Sequence, residues 1–207
     1  MQSNSATEQS ITHRPTQPTE PFRIGIRTPP WRPLPEIADF AKRIEDLGFD
    51  TLSLSDSPML WRDSMTALAV IAMRTDRIAL STAVTNPITR PPVQLASSCR
   101  TVAELAPARF RLGLATGDSA VLLGGGRPAR MVEFREAVRI IRTTLAGRAP
   151  FESAPHTTMV DPPAHHVPIF CAADGPKMLA LAVEIGDGVI TNNKNLVKKR
   201  ALMSSVA

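Results

Sequence analysis

With 207 residues the chain can form one domain with a large core, because a single core grows to roughly this size before chains divide. Apolar residues make up 43% and charged residues 21%, which excludes a disordered polyelectrolyte; no apolar run approaches the roughly 18 residues of a membrane span, and the polar first twenty residues are no secretion signal, so a cytoplasmic protein is expected. The formal net charge of +5 does not indicate nucleic acid, since the arginines are scattered and no aromatic residues interleave a basic run; a basic pocket for a phosphorylated cofactor uses the same charge.

Residues 1–20 are rich in Ser, Thr, Gln and Pro without periodicity and predict a flexible tail. The folded domain is expected over 21–191. Phe22–Ile26 alternates as a strand, and Pro35–Leu47 then places Ile37, Phe40, Ala41, Ile44 and Leu47 on one helical face, with Gly48 as the stop. The pattern repeats about every thirty residues: strand Thr51–Leu54 and helix Asp63–Met73, strand Ile78–Val84 and helix Pro91–Leu105, strand Phe110–Leu114 and helix Arg130–Leu145. Residues 147–166 hold four prolines, three histidines and a short Thr157–Val160 stretch, and read as an inserted excursion. Strand Val167–Ala172, helix Pro176–Ile185 and a sixth strand at Gly188–Thr191 restore the pattern. Residues 192–207 are polar and basic and predict no further unit.

Strands alternating with helices at this spacing imply right-handed crossovers and a parallel sheet. The fold class is therefore α/β. Six strands stand where a (β/α)8 barrel needs eight, which leaves a six-stranded open sheet or a barrel sequence cut short. A dinucleotide-binding sheet would carry a glycine fingerprint after its first strand, and this strand runs instead into Arg27-Thr28-Pro29-Pro30.

In parallel α/β folds ligands meet the loops after the strands' carboxyl ends. Those loops read Ser55-Asp56-Ser57-Pro58, Ala83-Val84-Thr85-Asn86-Pro87, Ala115-Thr116-Gly117-Asp118-Ser119-Ala120 and Ala172-Ala173-Asp174-Gly175-Pro176-Lys177. Each has a plain structural reading as well. Thr85-Asn86-Pro87 can be a turn, Asp118 or Ser119 a helix N-cap, Asp56 a loop cap, and Asp174-Gly175-Pro176 an ordinary helix start. Leu123-Gly124-Gly125-Gly126-Arg127 lacks the spacing of a phosphate loop and is expected to be flexible. His156, His165 and His166 lie in the proline-rich excursion without carboxylate or cysteine partners and are expected at the surface. No metal site is expected. Cys99 and Cys171 sit in an expected helix and an expected strand and read as core residues.

The segments LGFDTLSLSDSP, LSTAVTNPITRPP, RFRLGLATGDSA and PIFCAADGPKMLALA, in this order over residues 22–191, resemble the luciferase-like monooxygenase superfamily. Within it they are similar to the coenzyme F420-dependent group that includes methylenetetrahydromethanopterin reductase. The resemblance implies an incomplete (β/α)8 barrel, two thirds of the family's length, acting as an oxidoreductase that moves hydride between F420, or alternatively reduced FMN, and a small organic substrate. It places Ala83 and Val84 at the family's non-prolyl cis peptide behind the cofactor ring, with Thr85 and Asn86 beside them. Thr116, Gly117, Asp118 and Ser119 fall on the loop near the ring, where Asp118 is the candidate for proton exchange; Asp56 is a candidate ring contact. Ala172, Ala173, Asp174, Gly175, Pro176 and Lys177 fall where the family holds the cofactor's phosphate end. Ser57 stands where many F420-using relatives carry histidine, which keeps FMN as the alternative. Open strand edges predict a homo-oligomer, such as a dimer. A catalytically silent remnant, binding cofactor weakly or only self-associating, is the competing expectation.

Overall fold

The computed structural model describes residues 23–192; the expected tail over 1–20 and all but the first residue of the basic segment over 192–207 lie outside the described residues. Six strands, β1 Gly25–Thr28, β2 Thr51–Leu54, β3 Ala79–Thr82, β4 Phe110–Leu114, β5 Ile169–Ala172 and β6 Gly188–Ile190, form one sheet in chain order. Every neighbouring pair is parallel. Helices α1 Leu34–Asp46, α2 Ser64–Arg74, α3 Pro92–Leu105, α5 Met131–Leu145 and α6 Pro176–Ile185 provide the crossovers, and a single turn of helix, α4 Ser119–Leu122, precedes α5. The six strands curl into a half-barrel with the helices on its outer side.

Strand parity fixes which side chains face the helices. Leu52, Leu54, Leu80, Leu112 and Leu114 are fully buried beneath them, packed with Ile37 of α1, Leu68 and Ile71 of α2, Leu95 of α3 and Phe134 and Ile141 of α5. Residues of the opposite parity, Arg27, Ser53, Ser81 and Arg111, fall in one register row on the concave face. The Ser53 and Ser81 hydroxyls are 2.7 Å apart across that row. The core thus lies between sheet and helices, while the concave face carries this polar row over β1 to β4 and Phe170 and Ile190 over β5 and β6.

Helix α1 buries Ile37, Ala38, Ala41 and Ile44, spaced for one face, and the chain leaves it through Gly48 in the left-handed region at φ +87°. Two differences from the sequence reading concern strand bounds: the first strand, expected at Phe22–Ile26, forms at Gly25–Thr28, and the third ends early. The third strand was expected to run to Val84, but its regular ladder ends at Thr82, and the chain rejoins β4 at Thr85, whose amide donates to the Gly113 carbonyl at 2.9 Å. The Ala83–Val84 peptide between them is cis. Gly113 is required opposite this detour, because a Cβ there would sit 2.0 Å from the Thr82 carbonyl oxygen. The excursion over 147–166 holds turns and bends and no regular element, in keeping with the sequence reading. Cys99 and Cys171 are buried free thiols, and burial pushes both thiols up, Cys171 to about 11.

Candidate functional site

The loops after β1 to β5 open on one rim of the half-barrel, and together they line a cleft of about 630 Å³. Asp56, Val84, Thr85, Asn86, Thr116, Gly117, Asp118, Ser119, Ala172, Ala173 and Asp174 all line it. Ala83 is buried behind the wall, where its carbonyl accepts from Arg27 Nε at 2.7 Å. Gly175, Pro176 and Lys177 lie just beyond the lining, in the first turn of α6 between Asp174 and the lining residue Met178.

Asp56 is held by a network rather than left free. Its carboxylate accepts two hydrogen bonds from Arg90, at 2.7 and 3.0 Å, and one from the Thr85 hydroxyl at 2.5 Å. Arg90 also donates to Asp63 at 2.5 Å, and Asp63 caps α2 through the Thr66 amide at 2.7 Å. One guanidinium therefore ties the β2 loop to the N-terminus of α2 and, through Asp56, to Thr85 of the β3 loop. The Asp56 side chain is 1% exposed, so its charge needs this compensation. Hydrogen bonding to Asp56 stabilises the charged guanidinium and raises the Arg90 pKa, against the opposing effect of burial. Burial pushes the Asp63 carboxyl up, but the Thr66 amide and Arg90 outweigh it and hold the group below its usual range. Sequence reasoning had Asp56 as a candidate ring contact or loop cap; in the structure its carboxylate oxygens are engaged in joining two loops.

Asn86 fixes the turn after the cis peptide. Its side-chain oxygen accepts from the Ile88 and Thr89 amides at 3.0 and 2.8 Å, and its amide nitrogen donates to the Thr89 hydroxyl at 2.9 Å. Gly117 has φ +108°, and a Cβ on it would lie 2.6 Å from Val121 Cγ2. Glycine is what lets the β4 loop pass this close to α4. Asp118 occupies the N-cap position of α4, but its side chain makes no capping hydrogen bond. It is exposed to the cleft. Asp174 Oδ1 accepts from the Thr191 hydroxyl at 3.1 Å and the Asn192 amide at 3.3 Å, which ties the β5 loop to the end of β6.

The β4 loop continues into Gly124–Gly126, an exposed turn that follows α4 and lies outside the cleft. His156, His165 and His166 are exposed, and none lines the cleft.

Three residues of this region escaped the sequence reading. Arg27 is the cleft-lining residue of β1, and it was missed because the first strand was expected to end at Ile26. Trp61 lines the cleft at the end of the apolar loop run Met59-Leu60-Trp61, a run with no helical or strand periodicity to bury it. Arg90 had no local signal, because its partner Asp56 is 34 residues away in sequence.

A family model described as luciferase-like monooxygenase matches residues 9–207. A 5,10-methylenetetrahydromethanopterin reductase of Methanolobus tindarius is 36% identical over 179 residues, which are 82% of this chain and 53% of that protein. An F420-dependent glucose-6-phosphate dehydrogenase of Nakamurella multipartita is 34% identical over 192 residues, 84% of this chain and 57% of that protein. The chain spans about half the length of the curated relatives it matches. Among solved structures, the coenzyme F420 dependent tetrahydromethanopterin reductase from Methanopyrus kandleri aligns with a TM-score of 0.69 at 25% identity, covering 82% of this chain and 55% of that one. An FMN complex of a type II Baeyer-Villiger monooxygenase component from Pseudomonas putida shares the fold, with a TM-score of 0.70 at 14% identity over 89% of this chain and 62% of that one.

Proposed function

Since the chain belongs to the luciferase-like monooxygenase family, we propose that its rim cleft takes the ring of coenzyme F420, with FMN as the alternative, and that the protein is an oxidoreductase moving hydride between that cofactor and a small organic substrate. The observation that carries this reading is the convergence of five successive loops on one cleft of about 630 Å³, within the usual volume of cofactor sites. The residues present fit such a group. Gly117 keeps a side chain off the β4 loop, Val84, Thr85 and Asn86 form a wall after the cis peptide, and Ala172 and Ala173 leave the β5 side open to a flat ring.

When bound, the cofactor supplies or accepts the hydride. The chain's own residues orient it and tune its surroundings. The Asp56–Arg90–Thr85 network holds the β2 and β3 loops in fixed relation, so the wall is set before any ligand arrives. Asp118 Oδ atoms, exposed at the cleft and without a capping bond, are the group proposed to exchange a proton with the substrate oxygen or nitrogen. The first turn of α6, where Gly175 precedes Pro176 and no side chain caps the helix, is proposed to receive the phosphate end through backbone N–H groups, with Lys177 adding charge. A homodimer and a cytoplasmic setting belong to the same proposal.

The competing remnant reading is not favoured, because the loops that would form the site are assembled on a buried core. Titration of the purified chain with F420 and with FMN, followed by absorbance and fluorescence, tests the proposal. Micromolar binding of at least one is expected, and failure of both to bind sinks it.

A further inference from the structure

The concave face of the sheet carries a charge pattern that the cofactor reading leaves unused. Arg27 of β1, Ser53 of β2, Ser81 of β3 and Arg111 of β4 are register partners in one row. Two guanidiniums therefore flank a pair of hydroxyls whose oxygens lie 2.7 Å apart. The row runs directly beneath the cleft: Arg27 itself lines it, and so do Pro29 and Ser55, the next inward positions along β1 and β2. On β4 the next inward position after Arg111 is Gly113, so no side chain of that strand stands between Arg111 and the lining residue Ala115.

Neither guanidinium is matched with an anion. Arg27 donates through Nε to the Ala83 carbonyl at 2.7 Å, and among the described residues its terminal nitrogens have no acceptor. Arg111 stands over the Phe170 ring, 5.7 Å from its centroid, and makes no hydrogen bond or ion pair among the described residues. Other guanidiniums of the fold are matched: Arg90 holds Asp56 and Asp63, Arg142 holds Asp187, and Arg109 donates to Ala72, Thr75 and Ile78 oxygens at the turn into β3. The carboxylates lining the cleft belong to the rim loops. Asp56 accepts from Arg90 and Thr85, Asp174 accepts from Thr191 and Asn192, Asp118 is exposed, and none pairs with Arg27 or Arg111. A hollow with one sign of charge between low-dielectric walls concentrates counter-ions, and donors left without acceptors gain from a ligand that supplies them.

We infer that Arg27, the Ser53–Ser81 hydroxyl pair and Arg111 form an anion subsite beneath the cleft, and that its ligand is a small dicarboxylate. The two arginines are three strand spacings apart, roughly 14 Å between their Cα atoms along a flat sheet, and the inward curl brings the ends of these long side chains closer. Each guanidinium presents a fork that takes one carboxylate through two parallel bonds, and the hydroxyls between them face the body of the molecule. A compact ion with a single charged group would satisfy one fork and leave the other unmatched. This inference does not depend on the cofactor reading, because the row lies on the strands and the cofactor's phosphate end is assigned to α6.

The experiment titrates the full chain with succinate, acetate and inorganic phosphate at physiological chloride, by calorimetry and by NMR of the arginine Nε–H signals. It compares the natural sequence with Arg27→Gln, Arg111→Gln, Arg111→Lys and, as a control at an exposed position, Arg148→Gln. One succinate per chain is expected, bound about tenfold more tightly than acetate or phosphate, with a loss on the order of tenfold in Arg27→Gln and in Arg111→Gln and none in Arg148→Gln. Arg111→Lys, which keeps the charge and loses the fork, should fall between. In the natural sequence succinate should shift the Arg27 and Arg111 Nε–H signals and leave the other arginines in place, a readout that stands even where a variant fails to fold. Absence of those shifts, equal binding of the three anions, unchanged succinate affinity in Arg111→Gln, or an equal loss in Arg148→Gln would overturn the inference. So would a row occupied by a second copy's acidic side chains, seen as a dimer that dissociates in Arg111→Gln while the natural sequence binds no succinate. F420 and FMN affinities should be unchanged in Arg111→Gln; a tenfold loss there would assign the guanidinium to the cofactor's phosphate and overturn the dicarboxylate site.

Discussion

Asp56 shows how a residue type can point to a site while its partners decide its role. A carboxylate after a barrel strand suggests contact with a ligand, yet this one is buried beneath Arg90 and Thr85. Removing the guanidinium would strand a buried charge. Arg90→Gln should therefore cost about 3 to 5 kcal/mol of stability, and the double variant Asp56→Asn/Arg90→Gln should recover part of it, as read from urea unfolding in a double-mutant cycle. Arg90→Lys should not substitute, because an ammonium cannot hold Asp56 through two parallel bonds while reaching Asp63. Gly117 makes a second residue-level test. With φ +108° and Val121 Cγ2 only 2.6 Å from a would-be Cβ, Gly117→Ala should cost about 1 to 3 kcal/mol in thermal unfolding and weaken cofactor binding more than Asp118→Asn does. The glycine and Asp118 were legible as site candidates because they break the strand-helix pattern at a carboxyl end. Arg90 was not, since nothing in the loop before α3 distinguishes it from a surface arginine and its partner Asp56 lies 34 residues away.

At the level of elements, periodicity carried most of the information. Thr51–Leu54, Phe110–Leu114 and Pro176–Ile185 form with the bounds their apolar spacing predicts. The short helix α4 was legible only as a helix start, in the N-cap reading of Asp118, because four residues cannot display a helical period. The ends opposite the cleft also hide a device that spacing does not reveal. Glu45, at the end of α1, is 1% exposed and accepts from the Asp76, Arg77 and Ile78 amides leading into β3, and from Lys42 Nζ. Burial pushes this carboxyl up, but the three amides and Lys42 reverse the effect and bring it from an ordinary 4.5 down to about 2. A carboxylate with a depressed pKa stabilises the fold above its unfolded value and loses that contribution as pH falls through the folded one. Stability should thus decline between about pH 4.5 and pH 2, with Glu45 contributing on the order of 3 kcal/mol at neutral pH. Urea midpoints measured across this range should fall steeply in the natural sequence and more gently in Glu45→Gln, which starts lower at pH 7. A Glu45→Gln variant with an unchanged midpoint at pH 7 would count against the bracket.

For the whole molecule, the alternation of strands and helices was enough to establish a parallel sheet, and the match of ordered loop segments pointed to the family now shown. What spacing could not supply was the curvature that gathers loops from residues 27 to 192 around one cleft, because closeness along a curled rim is a property of the whole sheet and not of any one unit. The polar row on the concave face is hidden for the same reason: Arg27, Ser53, Ser81 and Arg111 share a register row that no single strand discloses. Function at this scale depends on the rim behaving as one site. Hydrogen–deuterium exchange of the chain with and without saturating F420 or FMN tests this most directly. Protection should appear together in the segments around 55–58, 84–87, 115–120 and 172–178, and stay unchanged at the opposite end around Glu45 and Asp76. Protection confined to one of these loops, or appearing at the opposite end of the sheet, would contradict a shared cofactor shelf.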